Sequence, residues 1–181
     1  MDTRFELRRF APLLAATGGL AYAAVGALLA RSPQPEHHWH TAAYAVEALF
    51  AMALALTIPL VPFLRVGRSL VERLAVRASQ AGFTAMLVSA LASIAVGGDT
   101  LGPAFFLGVL GALAGLLALA IQALRARRQH WWASPVAFAG VVLGIALGDH
   151  GGTLLLGLAW IAVSIALQQH PISRRVATAS A

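Results

Sequence analysis

Residues 103–124 read PAFFLGVLGALAGLLALAIQAL, contain no charged side chain, and are followed by an arginine. At a rise of ~1.5 Å per residue, a helix of this length crosses the ~30 Å hydrocarbon layer of a bilayer. Five further apolar stretches flank it, and together they predict spans at residues 10–30, 41–64, 79–96, 103–124, 133–148 and 152–168. We therefore predict an all-α polytopic membrane protein, a six-transmembrane-helix bundle in which residues 1–181 form a single integral membrane domain.

The composition supports this class of protein. Hydrophobic residues make up 59% of the chain and charged residues 11%, whereas a soluble domain carries about 25% charged residues. The chain has no cysteine, which excludes disulfides and thiolate metal sites. All thirteen of its Lys and Arg positions are arginine, so a lysine Schiff base is excluded as well.

The arginines predict the orientation in the membrane. One side of the predicted bundle receives Arg4, Arg8, Arg9, Arg65, Arg68, Arg73, Arg77, Arg125, Arg127, Arg128, Arg174 and Arg175, and the other side receives Arg31 alone. Because short cytoplasmic loops carry an excess of Arg, we predict cytoplasmic termini and three hairpins that leave and re-enter the cytoplasmic side of a bacterial inner membrane. The net charge of +6 then has a topological cause, and we expect no nucleic-acid partner.

Two local patterns modify the second and third spans. Pro59 and Pro62 lie near the end of the second span, where each removes a backbone donor, so we predict a bend there. The following residues, 65–78, have apolar residues at helical spacing, with Arg68 and Glu72 four residues apart. This pattern predicts an amphipathic helix at the membrane interface.

Glycines at intervals of four predict close helix packing. They are Gly111 and Gly115 in the fourth span and Gly140, Gly144 and Gly148 in the fifth. Small residues at this spacing let two helix backbones approach each other in lipid. We expect them to pack helices within the chain. The alternative is an interface with a second copy or with another membrane protein.

Glu47 is the ionisable residue that lies well inside a predicted span. It comes six residues after Thr41, which places it roughly 9 Å into the helix. His40, Tyr44 and Glu47 share one helical face, because they are spaced at i, i+4 and i+7. An acid at this depth is a candidate functional group. The alternative is a neutral glutamic acid that is hydrogen-bonded to a neighbouring helix.

The predicted outer loops concentrate histidine and acid. The first loop contains the run Glu36-His37-His38-Trp39-His40. His37, His38 and His40 are candidate ligands for zinc, copper or nickel, and Asp99, Asp149 and His150 could complete the shell. The alternative is that the histidines only solvate the membrane surface. Asp149 and His150 similarly form either an acid–imidazole pair or a turn that caps the next helix.

Three functions fit these features. The first is binding or transport of a small solute or metal ion in an outward-facing pocket that contains Trp39, His40, Tyr44, Glu47 and His150. The second is an intramembrane enzyme that acts on a lipid-like or isoprenoid substrate, with Glu47 as general acid and Asp149 or Asp99 as its partner. The third is an accessory subunit that docks another membrane protein in the bilayer. The location of the polar residues at the outer face favours the first.

Overall fold

The protein is all-helical in its computed structural model, which describes residues 3–31, 42–96, 102–127 and 130–168. The side chains of residues 3–8, 42–45 and 149 are outside the described part. The helices are α1 (Thr3–Arg31), α2 (Ala42–Thr57), α3 (Leu70–Val96), α4 (Gly102–Ala126), α5 (Ala133–Leu147) and α6 (Gly152–Gln168), with 3-10 segments at Ile58–Leu64 and Gly148–His150. The predicted helical class is confirmed.

Four segments are long and apolar enough to cross a membrane. They are Arg9–Arg31, Val46–Leu64, Leu70–Val96 and Gly102–Ala126. Helices α5 and α6 are equally apolar but have 15 and 17 residues, short of the ~20 that a perpendicular crossing takes. The structure therefore supports a membrane-embedded helical protein with four helices of spanning length.

The six helices form a closed ring. Each helix packs against its neighbours in the chain, and α6 packs against α1. Neighbouring helices are antiparallel, as the contacts of α3 with α4 illustrate: Gly82 lies against Gly108 and Ala112, while Gly115 lies against Ala75 and Ser79. The antiparallel order gathers the described arginines Arg9, Arg65, Arg68, Arg73, Arg77, Arg125 and Arg127 at one end of the ring, which we call the arginine end.

The glycine rows lie inside this ring. A Cβ at Gly115 would collide with the backbone of α3, and one at Gly140 would collide with Ala159 of α6. Gly144 lies against Leu156 of α6. Packing within the chain is thus confirmed for these glycines. Gly148 has a different reason to be glycine, because it ends α5 with a positive φ of 40°.

The prolines change the helix type where the sequence predicts a bend. The α-helix ends at Thr57 and a 3-10 segment continues to Leu64. Pro62 has no N–H for the carbonyl of Ile58, four residues earlier. The side-chain amide of Gln80 on α3 donates to that carbonyl at 3.1 Å, and the hydroxyl of Ser134 on α5 donates to the carbonyl of Leu64 at 2.7 Å. Side chains from two other helices thereby replace backbone hydrogen bonds.

The segment predicted as an interfacial helix divides in two. Residues 65–69 form a non-helical loop, and the rest belongs to α3, which begins at Leu70 rather than at residue 79. Glu72 is buried, and its carboxylate accepts hydrogen bonds from the backbone of the loop rather than pairing with Arg68. Ser69 and Glu72 form a capping box: the Ser69 hydroxyl accepts from the Glu72 N–H at 3.1 Å, and the Glu72 carboxylate accepts from the Ser69 N–H at 3.1 Å.

Candidate functional site

Glu47 lies on α2 with its carboxyl group turned into the protein. The side chain is half-buried, and its Oε2 atom is fully buried with no hydrogen-bond partner among the described residues. An unpaired buried carboxyl oxygen is costly, because it has lost water without gaining a donor. Glu47 is therefore the residue of this region with unused capacity to bind a proton, a cation or a hydrogen-bond donor.

Aromatic rings from three helices meet at Phe50, one turn of helix after Glu47. Phe50 lies three residues after Glu47, on the same face of α2. Its ring packs edge-on against Tyr22 of α1, with centroids 5.9 Å apart, and lies 6.4 Å from the ring of Phe105 of α4. We call Tyr22, Phe50 and Phe105 the aromatic cluster. It connects α2 to α4 across the ring of helices.

The hydroxyl of Tyr22 contacts Thr57, which lies on the same helix as Glu47. The hydroxyl of Thr57 donates to the carbonyl of Ala53 at 2.8 Å and lies 3.5 Å from the Tyr22 oxygen. Because threonine has a single hydroxyl hydrogen, it cannot donate to both oxygens at once, and the 3.5 Å contact with Tyr22 is the weaker of the two. Tyr22 is fully buried, and its ring is thus fixed in place by Phe50 on one side and by Thr57 at its tip.

The structure describes few of the other predicted site residues. Trp39, His37, His38, His40 and Asp99 are outside the described residues, as are the side chains of Tyr44 and Asp149. The contact between Phe50 and Phe105 places the start of α4 close to α2. The convergence of the carboxyl groups of Glu47, Asp99 and Asp149 stays a prediction.

His150 is exposed in the turn between α5 and α6. This turn is a 3-10 segment that ends at Gly151, whose φ of 89° is in the left-handed region that favours glycine. Gly151 lies beside Ala30, near the end of α1. The described part of the chain contains no group of three His, Asp or Glu side chains arranged to hold a metal ion. The metal ligands His37, His38 and His40 remain a prediction.

Three further polar atoms in the interior have no partner among the described residues. They are the indole nitrogen Nε1 of Trp160 and the hydroxyl of Thr153, both on α6, and the hydroxyl of Ser79 on α3. Trp160 is 1% exposed, so its N–H is a buried donor without an acceptor among the described residues. The sequence gives no sign of this, because hydropathy does not reveal which side of an apolar helix faces the core. The aromatic cluster did have one signal, a Phe one turn after an intramembrane acid.

Comparison with known proteins gives no relative. No family model matches the chain, no curated protein matches it, and no solved structure resembles it closely enough to count as a match. The chemistry of the site must therefore be inferred from its own residues. They are an acid with an unpaired buried oxygen, the aromatic cluster, and a predicted rim of histidines and acids.

Proposed function

We propose that the protein binds or transports a small solute across a bacterial inner membrane, with Glu47 as the group that recognises the solute. The observation that carries this proposal is the buried Oε2 of Glu47, which has no partner among the described residues. Glu47 lies on the same face of α2 as Phe50 of the aromatic cluster. Ligand sites combine an apolar lining with a few polar groups that lack internal partners. A purely structural glutamic acid would instead be hydrogen-bonded to a neighbouring helix.

Six crossings of the membrane form part of the proposal. Helix α6 is short, but it runs antiparallel along α1, with Gly157 against Gly19 and the turn at Gly151 beside Ala30. It therefore lies alongside nearly the whole of the apolar segment Arg9–Arg31. If α1 crosses the bilayer, the α5–α6 hairpin extends to the same depth, because the 3-10 turn at its tip adds length that the helices lack.

The proposed orientation places the arginine end in the cytoplasm. Arginines in short loops are retained on that side, and the antiparallel ring brings α1, α3 and α5 to it with their first residues. Glu47 then lies toward the extracytoplasmic face, one turn of helix before the aromatic cluster. A solute would reach the acid from outside through the predicted rim of Trp39, His40, Tyr44 and His150.

The proposal is tested by a ligand panel on purified protein. Thermal unfolding would be measured with divalent metals, vitamins and isoprenoids for the wild type, Glu47→Gln and the control Met52→Leu, which changes an exposed side chain of the same helix. A solute at 100 times its Kd stabilises the folded state by about 2.7 kcal/mol. We expect one class to stabilise the wild type and the control but not Glu47→Gln. If Glu47→Gln responds like the wild type to every solute, Glu47 is not in the site.

The aromatic cluster also favours a second function, an intramembrane enzyme. Glu47 in its protonated form would add its proton to a double bond of an isoprenoid, and the faces of the neighbouring rings would stabilise the carbocation. Asp99 or Asp149 would then accept the proton that is lost from an adjacent carbon. Incubation of a polyprenyl lipid with the protein in D2O discriminates the two functions, because the enzyme alone incorporates deuterium into the recovered lipid.

A further inference from the structure

We infer that the solute recognised at Glu47 is a small organic cation, an ammonium compound with apolar substituents. This inference depends on the proposed function, because it names the class of solute for the same site. Two independent features of the described residues support it: the carboxyl group has no positively charged partner among them, and Phe50 of the aromatic cluster lies one turn away on the same face of α2.

The first feature is the missing counter-charge. The described arginines lie at the arginine end, except for Arg31 at the last residue of α1. The contact of Tyr22 with Phe50 sets α1 and α2 in register, so that Glu47 is level with Val25, which is six residues or ~9 Å before Arg31. Oε2 of Glu47 accepts no hydrogen bond from Arg31 or from any other described donor. An ionised carboxyl group inside a membrane protein is costly unless a positive charge compensates it, and a bound cation would supply that charge.

The second feature is the aromatic cluster. The rings of Tyr22, Phe50 and Phe105 come from three helices and follow one another at centroid distances of 5.9 and 6.4 Å. Phe50 and Phe105 are only partly buried, so part of their surface remains available to a ligand. Aromatic faces attract alkylammonium groups, and a hydrated inorganic ion gains much less from them. The combination of one carboxylate with several rings is therefore suited to an organic cation.

The test compares a cation with an uncharged molecule of the same shape. Choline and 3,3-dimethylbutan-1-ol differ by the exchange of a charged nitrogen for carbon, and their binding to the full-length protein in lipid nanodiscs would be measured by calorimetry. We expect choline to bind about tenfold or more tightly than the alcohol. Glu47→Gln should remove this preference, and Phe50→Leu should weaken choline binding several-fold with little change for the alcohol. Met52→Leu is the matched control, because Met52 lies on the exposed side of the same helix.

The possible results separate the inference from the proposed function. Equal binding of choline and the alcohol, or a choline preference that persists in Glu47→Gln, overturns the cation inference. If choline fails to bind while a neutral or anionic solute from the panel depends on Glu47, the inference falls and the proposed function stands. If no solute depends on Glu47, both fall. Circular dichroism melting of each variant shows whether a loss of binding is a loss of folding.

Discussion

Replacing Glu72 with alanine should destabilise the protein more than replacing any arginine near it. The carboxylate accepts from the N–H groups of Val66, Gly67 and Ser69, at 3.1, 2.8 and 3.1 Å, and from the Ser69 hydroxyl at 3.2 Å. It closes the loop that connects the 3-10 segment to α3. Gly67 makes this approach feasible, because a Cβ there would lie 2.8 Å from Oε2 of Glu72.

The magnitude follows from these contacts. A hydrogen bond to a charged group contributes about 1.5–3 kcal/mol, and a helix N-cap about 1 kcal/mol. Adding the full energy of four hydrogen bonds would overestimate the loss of stability. Arg68 and Ser69 are exposed, so water can reach the loop once the carboxylate is gone. We expect Glu72→Ala to lower the free energy of unfolding by roughly 2–4 kcal/mol. Glu72→Gln keeps one acceptor oxygen and should cost about half as much.

The assay is unfolding of the purified protein in mixed micelles at increasing SDS, followed by circular dichroism. Hydrogen exchange gives a second readout, since the N–H groups of Val66 and Gly67 should exchange faster in the variant. The control is Arg68→Ala, which should change stability by about 0.5 kcal/mol or less. If Arg68→Ala and Glu72→Ala are equally destabilising, while the loop N–H groups keep their protection, the carboxylate pairs with arginine and the backbone assignment is wrong.

Three further predictions address packing, the 3-10 segment and topology. Gly82→Leu should disrupt the contact of α3 with Ala112 on α4 and lower stability by about 3 kcal/mol in the same unfolding assay, and stability unchanged within error would mean that the two helices can separate there. Ser134→Ala should lower the free energy of unfolding by about 1 kcal/mol, because it removes the donor to the carbonyl of Leu64. Ser134→Cys nearly keeps the volume but is a weak donor, so an equal loss of stability in this variant shows that the hydrogen bond rather than the volume matters. The chain has no cysteine, so His150→Cys can be labelled in intact cells with a membrane-impermeant maleimide; labelling only after permeabilisation would overturn the six-crossing orientation.

The helical class and the change at the prolines could be predicted from the sequence, because both depend on local properties. Hydropathy predicts apolar helices, and proline removes a backbone donor wherever it stands. The start of α3 could also have been predicted. Ser69 and Glu72 have the spacing of a capping box before an apolar run, but Glu72 is also four residues from Arg68. In the structure, the Glu72 carboxylate binds the backbone N–H groups rather than Arg68. These N–H groups have no helical partner at the start of a helix.

The candidate site was predictable only in part. The depth of Glu47 in its helix follows from counting residues, but the direction of its side chain depends on how α2 is rotated against α1 and α4. That rotation is set by contacts between residues distant in the chain, such as Tyr22 with Phe50 and Phe50 with Phe105. Apolar helices in lipid have a weak hydrophobic difference between their faces, so neither the aromatic cluster nor the buried indole of Trp160 could be placed from hydropathy.

The polar groups of the described interior divide into those that bond to backbone atoms and those that have no described partner. Toward the arginine end, the side chains of Glu72, Gln80 and Ser134 all bond to backbone atoms left unpaired by a helix start, a proline or a helix end. Each of them has a structural reason to be there. Toward the opposite end, Glu47 and Thr153 carry buried oxygens without a described partner. An unpaired buried oxygen lowers stability, and the buried hydroxyl of Ser79, next to Gln80 on α3, lacks a described partner as well. Unpaired oxygens therefore occur in both halves of the ring, and Glu47 is the acid among them.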